Sequence, residues 1–370
     1  CDVIRYWVSE FDVDGIRLDA ADVLDFDFMR MLRRTAEEVK PDFWLMGEVI
    51  HGDYSRWVNG ETLHSVTNYA LHKALYSGHN DHNYFEIAHT VKYLQNMGNL
   101  DLYNFVDNHD VERIYTKLSN KAHFTPVHIL LYTLPGVPSI YYGSEFGIEG
   151  RKERSSDDSL RPALSLDDYE TALGDNPCTA LIAALGQIRQ HTPALSYGSY
   201  AELHLTNRQF AFARDLNDVR VVVTVNNDDN AASMDLPAGN AVEYIGALSG
   251  QKVAVQDGRI NVTVPANSGE IWVPSGDMPE YKPFKVEISL KEETVTDEES
   301  IPADSEAPSS ATEPVHFDPN KSPENMSVAE LQAAILAKMA NNGPVSDQMK
   351  KTVNENIWHD SLVNWLKSFR

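Results

Sequence analysis

Three carboxylates directly follow apolar, strand-like stretches in the first third of the chain. Asp19 ends GIRLD, Glu48 follows WLMG, and Asp110 ends FVDNHD. Because the carboxyl ends of parallel strands meet at one edge of a layer, where ligands bind, we expect these side chains to converge. Each one alone could merely cap the helix after its strand. Together they are typical of glycosidic bond cleavage, which needs one ionised and one protonated carboxyl around the bond.

Arg17 shares one face of its predicted strand with Asp19, because side chains in a strand alternate between faces. A buried arginine and aspartate on one face are costly unless they form a pair or take part in chemistry. A guanidinium next to a carboxyl also favours the ionised form of that carboxyl. The stretch DGIRLDAADV therefore predicts that Arg17 keeps Asp19 ionised and oriented.

Residues 1–195 alternate between helical and strand patterns. Apolar residues recur at helical spacing in segments such as VIRYWVSEF, FDFMRMLRRTAEEVK and TALIAALGQIRQH. Five stretches are typical of strands, namely GIRLDA, FWLMGEV, HSVTNY, LYNFVDN and VPSIYYG. Strands separated by crossover helices predict an α/β fold with a parallel sheet, either open or closed into a barrel.

Beyond residue 195 the pattern changes to short alternating strands separated by Asn, Asp and Gly. The segments YAELHL, QFAFARDL, VRVVVTVNN, RINVTV and SGEIWV predict an antiparallel β-sandwich domain over residues 196–277. No nucleophile or metal-ligand cluster stands out in this part of the sequence. We therefore expect this domain to serve mainly in packing.

Residues 278–326 are acidic and rich in Pro and Ser, which predicts a solvated linker. Residues 327–370 are predicted to form a small helical module, in which Ser327 caps the helix VAELQAAILAKMAN. The segment WHDSLVNWLKSF places its large apolar residues on one helical stripe. This stripe is interpreted either as the core of a small helical bundle or as a docking module for a protein partner.

The composition argues against several kinds of partner. A formal net charge of -24 over 370 residues disfavours nucleic acid and anionic membrane surfaces, which attract a basic face. No apolar run approaches the ~20 residues of a membrane span. Cys1 and Cys178 are the only cysteines, so neither a disulfide framework nor a cysteine metal cluster is expected. No metal or other cofactor is predicted, and the cellular location stays open.

The motifs GIRLDAADV, GEV and FVDNHD, in this order and spacing, resemble three short regions of the α-amylase family, glycoside hydrolase family 13. The segments YYGSEFGIEG and DDSLRP also resemble that family, and the similarity extends from residue 1 to about residue 277. It implies an eight-stranded TIM-type (β/α) barrel followed by a β domain. About five strands are counted here, and the family's early Asp-Asn-His motif is missing. We therefore expect a partial barrel, truncated at its N-terminus.

The resemblance implies roles for particular residues of this chain. Asp19 would be the nucleophile, Glu48 the general acid and base, and Asp110 the carboxylate that stabilises the distorted transition state. The two main carboxyl groups would then lie about 5–5.5 Å apart, and the anomeric configuration would be retained. The resemblance further implies that the substrate is bound by Arg17, His109, Asp158 and Arg161.

The activity implied by the resemblance is that of a retaining α-glucan hydrolase, which cleaves α-1,4-glucosidic bonds of maltodextrin or starch. Asp22-Val23 stands where many starch amylases carry Lys-His, which favours relatives that act on maltodextrins, cyclodextrins or pullulan. Ile50 departs from the aromatic residue of those relatives. Two alternatives stay open. One is a 4-α-glucan transglycosylase, in which a sugar replaces water, and the other is a non-catalytic carbohydrate-binding or scaffold relative.

Overall fold

The computed structural model divides the chain into two compact units, Cys1–Glu287 and Ile288–Arg370, which are described separately. The described residues are 1–154, 156–276, 321–323, 326–341 and 366–367. Within them, no helix is both long enough and apolar enough to span a membrane.

The first part of the larger unit is a layer of short parallel strands. Strands β1 to β5 span Gly15–Leu18, Trp44–Gly47, Ser65–Val66, Tyr103–Phe105 and Val137–Ser139. β1 pairs with β2, β2 with β3, and β4 with β5, all in parallel. A parallel bridge between Thr67 and Tyr103 continues this order from β3 to β4. The predicted parallel α/β layer is therefore present, whereas its membership of an eight-stranded barrel stays a prediction.

Helices cross over between these strands and cover the layer. Helices α1 to α9 span Asp2–Phe11, Phe26–Val39, Tyr69–Asn80, Tyr84–Gln95, Ile114–Lys117, Phe124–Thr133, Ala172–Asp175, Pro177–His191 and Pro193–Tyr197. α2 begins where the Asp25 carboxylate accepts the Phe28 N–H at 3.0 Å, a side-chain cap. It buries Met29, Leu32 and Ala36 against the strands, as the helical spacing of its apolar residues predicts.

An antiparallel β domain follows the layer. Strands β6 to β13 span Ser199–Leu205, Gln209–Leu216, Val219–Asn226, Ala232–Pro237, Glu243–Gly246, Lys252–Ala254, Arg259–Val264 and Ser268–Pro274. The larger sheet has the order β11-β10-β13-β8-β7-β6, and β12 pairs with β9 in a second sheet. Buried residues including Val222, Met234, Ile260 and Trp272 form the core between these strands. The predicted antiparallel domain is confirmed, although β9, β10 and β11 escaped the sequence pattern.

The β domain and the helices share one apolar core. Phe210 and Val223 of the larger sheet belong to the same buried cluster as Ile129 and Leu130 of α6. Arg214 on β7 reinforces this contact, because its Nη1 donates to the Thr133 carbonyl at the end of α6 at 2.6 Å. The β domain is thus packed against the helical side of the α/β layer.

In the smaller unit, helix α10 spans Val328–Asn341. The Glu330 N–H donates to Ser327 Oγ at 3.3 Å, and the Ser327 N–H donates to Glu330 Oε2 at 2.7 Å. This reciprocal capping box confirms the predicted Ser327 cap. The predicted linker lies largely outside the described residues, as do the apolar stripe and nearly all of the helical module after Asn341.

Candidate active site

The ends of β1 and β2 bring Asp19 and Glu48 to the same edge of the sheet. The parallel register pairs Leu18 with Gly47, so the two carboxylates leave adjacent strands side by side. A Cβ on Gly47 would lie 2.5 Å from a methyl group of Leu63. The close approach of this side chain therefore requires glycine directly before Glu48.

Arg17 contacts both of these carboxylates. Its Nη1 lies 2.5 Å from Asp19 Oδ1, and its Nη2 lies 3.0 Å from Glu48 Oε2. The Asp19 side chain is 81% exposed and that of Glu48 is 12% exposed. The planar guanidinium therefore holds an accessible carboxylate and a sheltered one in a fixed relation, as charge-assisted hydrogen bonds do.

The turn after Asp19 adds a second donor to Glu48. Ala20 has a φ of 43°, in the left-handed region that residues with a Cβ rarely adopt. Its N–H donates to Glu48 Oε2 at 3.2 Å. Strained backbone of this kind, which costs on the order of 1–3 kcal/mol, is concentrated at functional sites.

Tyr69 connects Glu48 with the loop that follows β4. Its hydroxyl donates to Glu48 Oε1 at 3.4 Å and accepts from Asn108 Nδ2 at 3.2 Å. Burial raises the pKa of Tyr69, and the nearby charges of Glu48 and Asp110 add to this effect. The hydroxyl therefore stays protonated and available as a donor.

The loop after β4 places His109 and Asp110 next to Arg161. The backbone N–H of Asp110 donates to Asn108 Oδ1 at 2.8 Å, which fixes the turn. His109 Nε2 lies 3.1 Å from Asp110 Oδ2, and Arg161 Nη2 lies 3.1 Å from Asp110 Oδ1. These three side chains form a partly exposed polar cluster whose hydrogen-bonding groups suit sugar hydroxyls.

Asp158, which the resemblance implies as a substrate-binding residue together with Arg161, forms no ion pair with Arg161. Arg161 Nη2 instead lies 3.3 Å from Asp157 Oδ2, and Asp158 is exposed and makes no ion pair within the described ranges. Asp157 stands four residues before Arg161 on the same side of a helical turn. A hydrogen bond from Lys152 lowers the pKa of Asp157, so this carboxylate is ionised beside the arginine.

The edge of the sheet that carries Asp19, Glu48 and Asp110 is called the rim here. Behind it, a buried polar network joins the loops after β4 and β5. Asp107 Oδ2 accepts from the Ile114 N–H at 2.7 Å and from Ser144 Oγ at 2.7 Å. Arg113, fully buried, donates to Ser144 Oγ at 3.1 Å and to the Leu160 carbonyl at 2.8 Å. Burial raises the pKa of Asp107 to about 6. The network anchors the chain on both sides of His109, Asp110 and Arg161.

Sequence reasoning missed the roles of Tyr69 and Arg113. Neither residue ends an apolar strand, so the rule that located Asp19 and Asp110 passes over both. Asp107 does follow an apolar strand, so the same rule could have identified it as a candidate site residue. Arg113 gave no such signal, since its carbonyl and hydroxyl partners are set by tertiary contacts alone.

A groove of about 560 Å³ opens beside Tyr69 on the same side of the layer. Its walls include tyrosines and the residues that follow Glu48: Ile50, His51, Tyr54, Tyr69, Tyr76 and Tyr93. Aromatic rings with polar tips suit ligands that have both apolar and hydroxylated faces. The groove therefore offers room for a ligand that extends past Glu48.

Within the described part of the chain, no cluster of three or more His, Cys, Asp or Glu side chains could hold a metal ion. The carboxylates of the rim are instead matched by Arg17 and Arg161. The donors that contact these carboxyl groups are guanidinium groups, the Tyr69 hydroxyl and the Ala20 N–H.

Comparison with known families agrees with this architecture. Residues 1–176 match the family model described as the alpha amylase catalytic domain, and residues 198–272 match that of the alpha-amylase C-terminal domain. The two matched regions follow each other along the chain as the α/β layer and the β domain do. The chain belongs to the α-amylase family of glycoside hydrolases.

Individual relatives support the same assignment. A cyclomaltodextrinase of Thermoanaerobacter pseudethanolicus is 30% identical over 233 residues, covering 61% of this chain and 39% of the relative. Neopullulanase 2 of Thermoactinomyces vulgaris is 27% identical over 281 residues, covering 73% of this chain and 46% of the relative. The crystal structure of an Anoxybacillus alpha-amylase has a TM-score of 0.65 at 23% identity, covering 74% of this chain and 61% of that one. This chain spans less than half the length of the two curated relatives.

Proposed function

We propose that this chain carries the catalytic carboxylates of a retaining α-glucan hydrolase that cleaves α-1,4-glucosidic bonds. The contact of Arg17 with both Asp19 and Glu48 is the observation that supports this most. Retaining glycosidases need two carboxyl groups close together, one as a nucleophile and one as an acid. The names cyclomaltodextrinase and neopullulanase favour short or cyclic α-glucans as the substrate class.

In the first step, a carboxylate oxygen of Asp19 attacks the anomeric carbon. The bond from that carbon to the leaving oxygen breaks, and Glu48 gives its proton to this oxygen. The exposure of Asp19 leaves it open to the sugar, whereas Arg17 and the Ala20 N–H orient Glu48. The product is a glycosyl ester on Asp19 and a shortened glucan with a free hydroxyl.

In the second step, a water molecule attacks the same anomeric carbon. Glu48 takes the proton from this water, and the ester bond to Asp19 breaks. Two displacements at one carbon restore the original configuration. The released sugar therefore keeps the α-configuration, and both carboxyl groups return to their starting states.

The cluster at the end of β4 binds the reacting sugar in this proposal. Asp110 accepts hydrogen bonds from sugar hydroxyls, and these bonds strengthen as the ring distorts toward the transition state. His109 and Arg161 contact Asp110 and add donors beside it. Asp158 also contacts the sugar in this proposal, and Asp157 forms an ion pair with Arg161.

Transfer to a second sugar is the alternative favoured by the groove beside Tyr69. A glucan bound among its tyrosines could present a hydroxyl where the hydrolytic water would otherwise stand. The glycosyl ester on Asp19 is common to both reactions. Incubation with maltotriose separates them, because transfer yields products longer than the substrate and hydrolysis yields only shorter ones.

The proposed function is tested by incubating the purified protein with maltohexaose and following the products by chromatography and proton NMR. We expect shorter maltodextrins released as α-anomers. Asp19→Asn and Glu48→Gln should abolish this release, whereas Asp42→Asn, an exposed carboxylate before β2, should not change it. Activity of Asp19→Asn within about tenfold of the unsubstituted protein would contradict the mechanism. A protein that binds the glucan without cleaving it would instead match the non-catalytic alternative.

A further inference from the structure

A second cavity lies on the opposite side of the parallel layer from the carboxylates. It has a volume of about 410 Å³ and is lined by Leu102 and Gly136, which directly precede β4 and β5. Asp107 and Asp110 follow β4 and therefore lie at its other end. The cavity is thus separate from the candidate active site, and its size falls within the roughly 300–1,000 Å³ of small-molecule sites.

Its walls come from both the α/β layer and the β domain. The end of α4 and the loop before β4 contribute Gln95, Asn99 and Asp101, whereas Ser196 lies in α9 and Ser199 is the first residue of β6. The side chains of Gln95, Asn99 and Ser196 make no hydrogen bond to any residue of the described ranges. Amide, hydroxyl and carboxylate groups therefore line the same cavity and do not hydrogen-bond to each other. They can form hydrogen bonds with a ligand.

An exposed aromatic ring stands at the edge of this cavity. Tyr197, at the end of α9, is 80% exposed although it lines the cavity together with Leu100 and Leu134. Such a ring presents an apolar face with a polar tip. Together with the amides, it suits a ligand that has an apolar face and hydroxyl groups at its edge.

The charges around the cavity select a neutral ligand. Arg214 lines the cavity but is 1% exposed, and its guanidinium already donates to the Gly198 and Thr133 carbonyls. Asp101 is the exposed acidic residue of the lining, and it interacts electrostatically with Arg214, so the lining carries one acidic and one basic side chain and favours a neutral ligand. A sugar hydroxyl can instead donate to Asp101 and accept from the amides.

We propose that this cavity is a second, non-catalytic binding site for a neutral oligosaccharide. Tyr197 packs against a sugar ring, while Asp101 and Asn99 hydrogen-bond its hydroxyl groups. The choice of an α-glucan as the oligosaccharide rests on the proposed function. The existence of the site is inferred from the cavity and its lining residues alone. A bound chain would bridge the α/β layer and the β domain at the end remote from Asp19.

The test uses the full chain with Asp19→Asn, so that the probe persists, and maltotriose as the probe. Backbone amide resonances are followed by NMR during the titration. We expect the resonances of Leu100, Ser196 and Ser199 to shift along one binding curve, which saturates with a dissociation constant different from that of the curve at Asn108. Absence of cavity shifts while the Asn108 shifts saturate would overturn the second site and leave the proposed function intact. Absence of Asn108 shifts alone would count against the proposed function.

Two variants assign the binding to named side chains. Tyr197→Ala and Asp101→Ala should each weaken the cavity curve about tenfold, the loss expected for one good contact, and leave the Asn108 curve unchanged. Tyr6→Ala removes another exposed tyrosine, on α1 and away from the cavity, and should change neither curve. Unchanged circular dichroism shows that each variant is folded. A cavity curve that neither Tyr197→Ala nor Asp101→Ala alters would overturn the proposal.

Discussion

The guanidinium of Arg17 lies 3.0 Å from the carboxylate of Glu48, on the strand next to its own. The same guanidinium contacts Asp19 through its other terminal nitrogen. A single planar cation therefore sets the relative position of the two carboxyl groups proposed to react. Its geometry should matter more than its charge, since a lysine ammonium cannot form the same fork.

Arg17→Lys tests this geometric role. We expect kcat on maltohexaose to fall about 100-fold, the effect of losing about 2.7 kcal/mol of transition-state stabilisation. The fall in kcat should exceed any rise in KM, because the fork orients reacting groups. Arg5→Lys is the matched control, since Arg5 forms exposed ion pairs with Asp2 and Glu38 on the helices. Equal activity of the two variants would show that Arg17 contributes only charge.

Tyr69→Phe removes the hydroxyl between Glu48 and Asn108 while keeping the ring. We expect about a tenfold loss in kcat, because Glu48 loses one hydrogen-bond donor and Asn108, in the loop after β4, loses its acceptor. Tyr6→Phe on α1 is the control for loss of an exposed hydroxyl and should behave like the unsubstituted protein. Unchanged kinetics in Tyr69→Phe would mean that this hydrogen bond does not orient Glu48.

Asp107→Asn tests the buried network behind the rim. The amide oxygen can still accept from Ile114 and Ser144, but the negative charge near Arg113 is lost. We expect a lower melting temperature and about a tenfold lower kcat, with the loss confined to pH values above about 6, where Asp107 of the unsubstituted protein is ionised. A pH–rate profile of both proteins checks this, and parallel profiles would contradict it.

Buried histidines should make the fold acid-sensitive. Burial lowers the pKa of His79 to about 3 and those of His72 and His128 to about 4, from the usual 6.5. Below about pH 6.5 these histidines bind protons in the unfolded chain but stay neutral in the folded chain. The free energy of unfolding therefore falls as the pH drops toward 4. Asp107, with its pKa raised to about 6, opposes this trend because its folded form gains a proton first. Above about 6.5 the contribution of the histidines is complete.

His128→Gln isolates one of these groups. Urea unfolding between pH 7 and pH 5 should show a dependence on pH that is shallower, by an amount that grows toward about 1.4 kcal/mol per pH unit near pH 5, the limit for one proton. His89→Gln, at an exposed position on α4, is the matched control and should keep the original slope. If His128→Gln keeps that slope as well, His128 is not neutral in the folded protein.

Much of the α/β layer was predictable because its strands are short apolar runs that end in polar residues. β1, β2 and β4 were located in this way, and the positions of Asp19, Glu48 and Asp110 followed from strand polarity alone. The antiparallel domain was recognised from alternation, which is clear in Arg259–Val264. β11, with three residues, is too short for an alternation pattern to be visible.

The contacts that tie the site together could not be predicted in the same way. The Arg17–Glu48 contact depends on the register between two strands, and one residue of slip would move Glu48 out of reach. The ion pair between Arg161 and Asp157 depends on the direction of side chains in a short turn. Tertiary geometry of this kind leaves no periodic trace in a sequence.

Covalent trapping of the glycosyl ester tests the central proposal most directly. A fluorinated glucosyl fluoride forms the ester quickly and releases it slowly, so the adduct can be located by mass spectrometry of peptides. The proposed mechanism predicts one added fluoroglucosyl group on the peptide that contains Asp19. No adduct should form in Asp19→Asn, which removes the nucleophile. Label on a peptide that contains Glu48 or Asp110, or turnover of the reagent without any label on Asp19, would contradict the account.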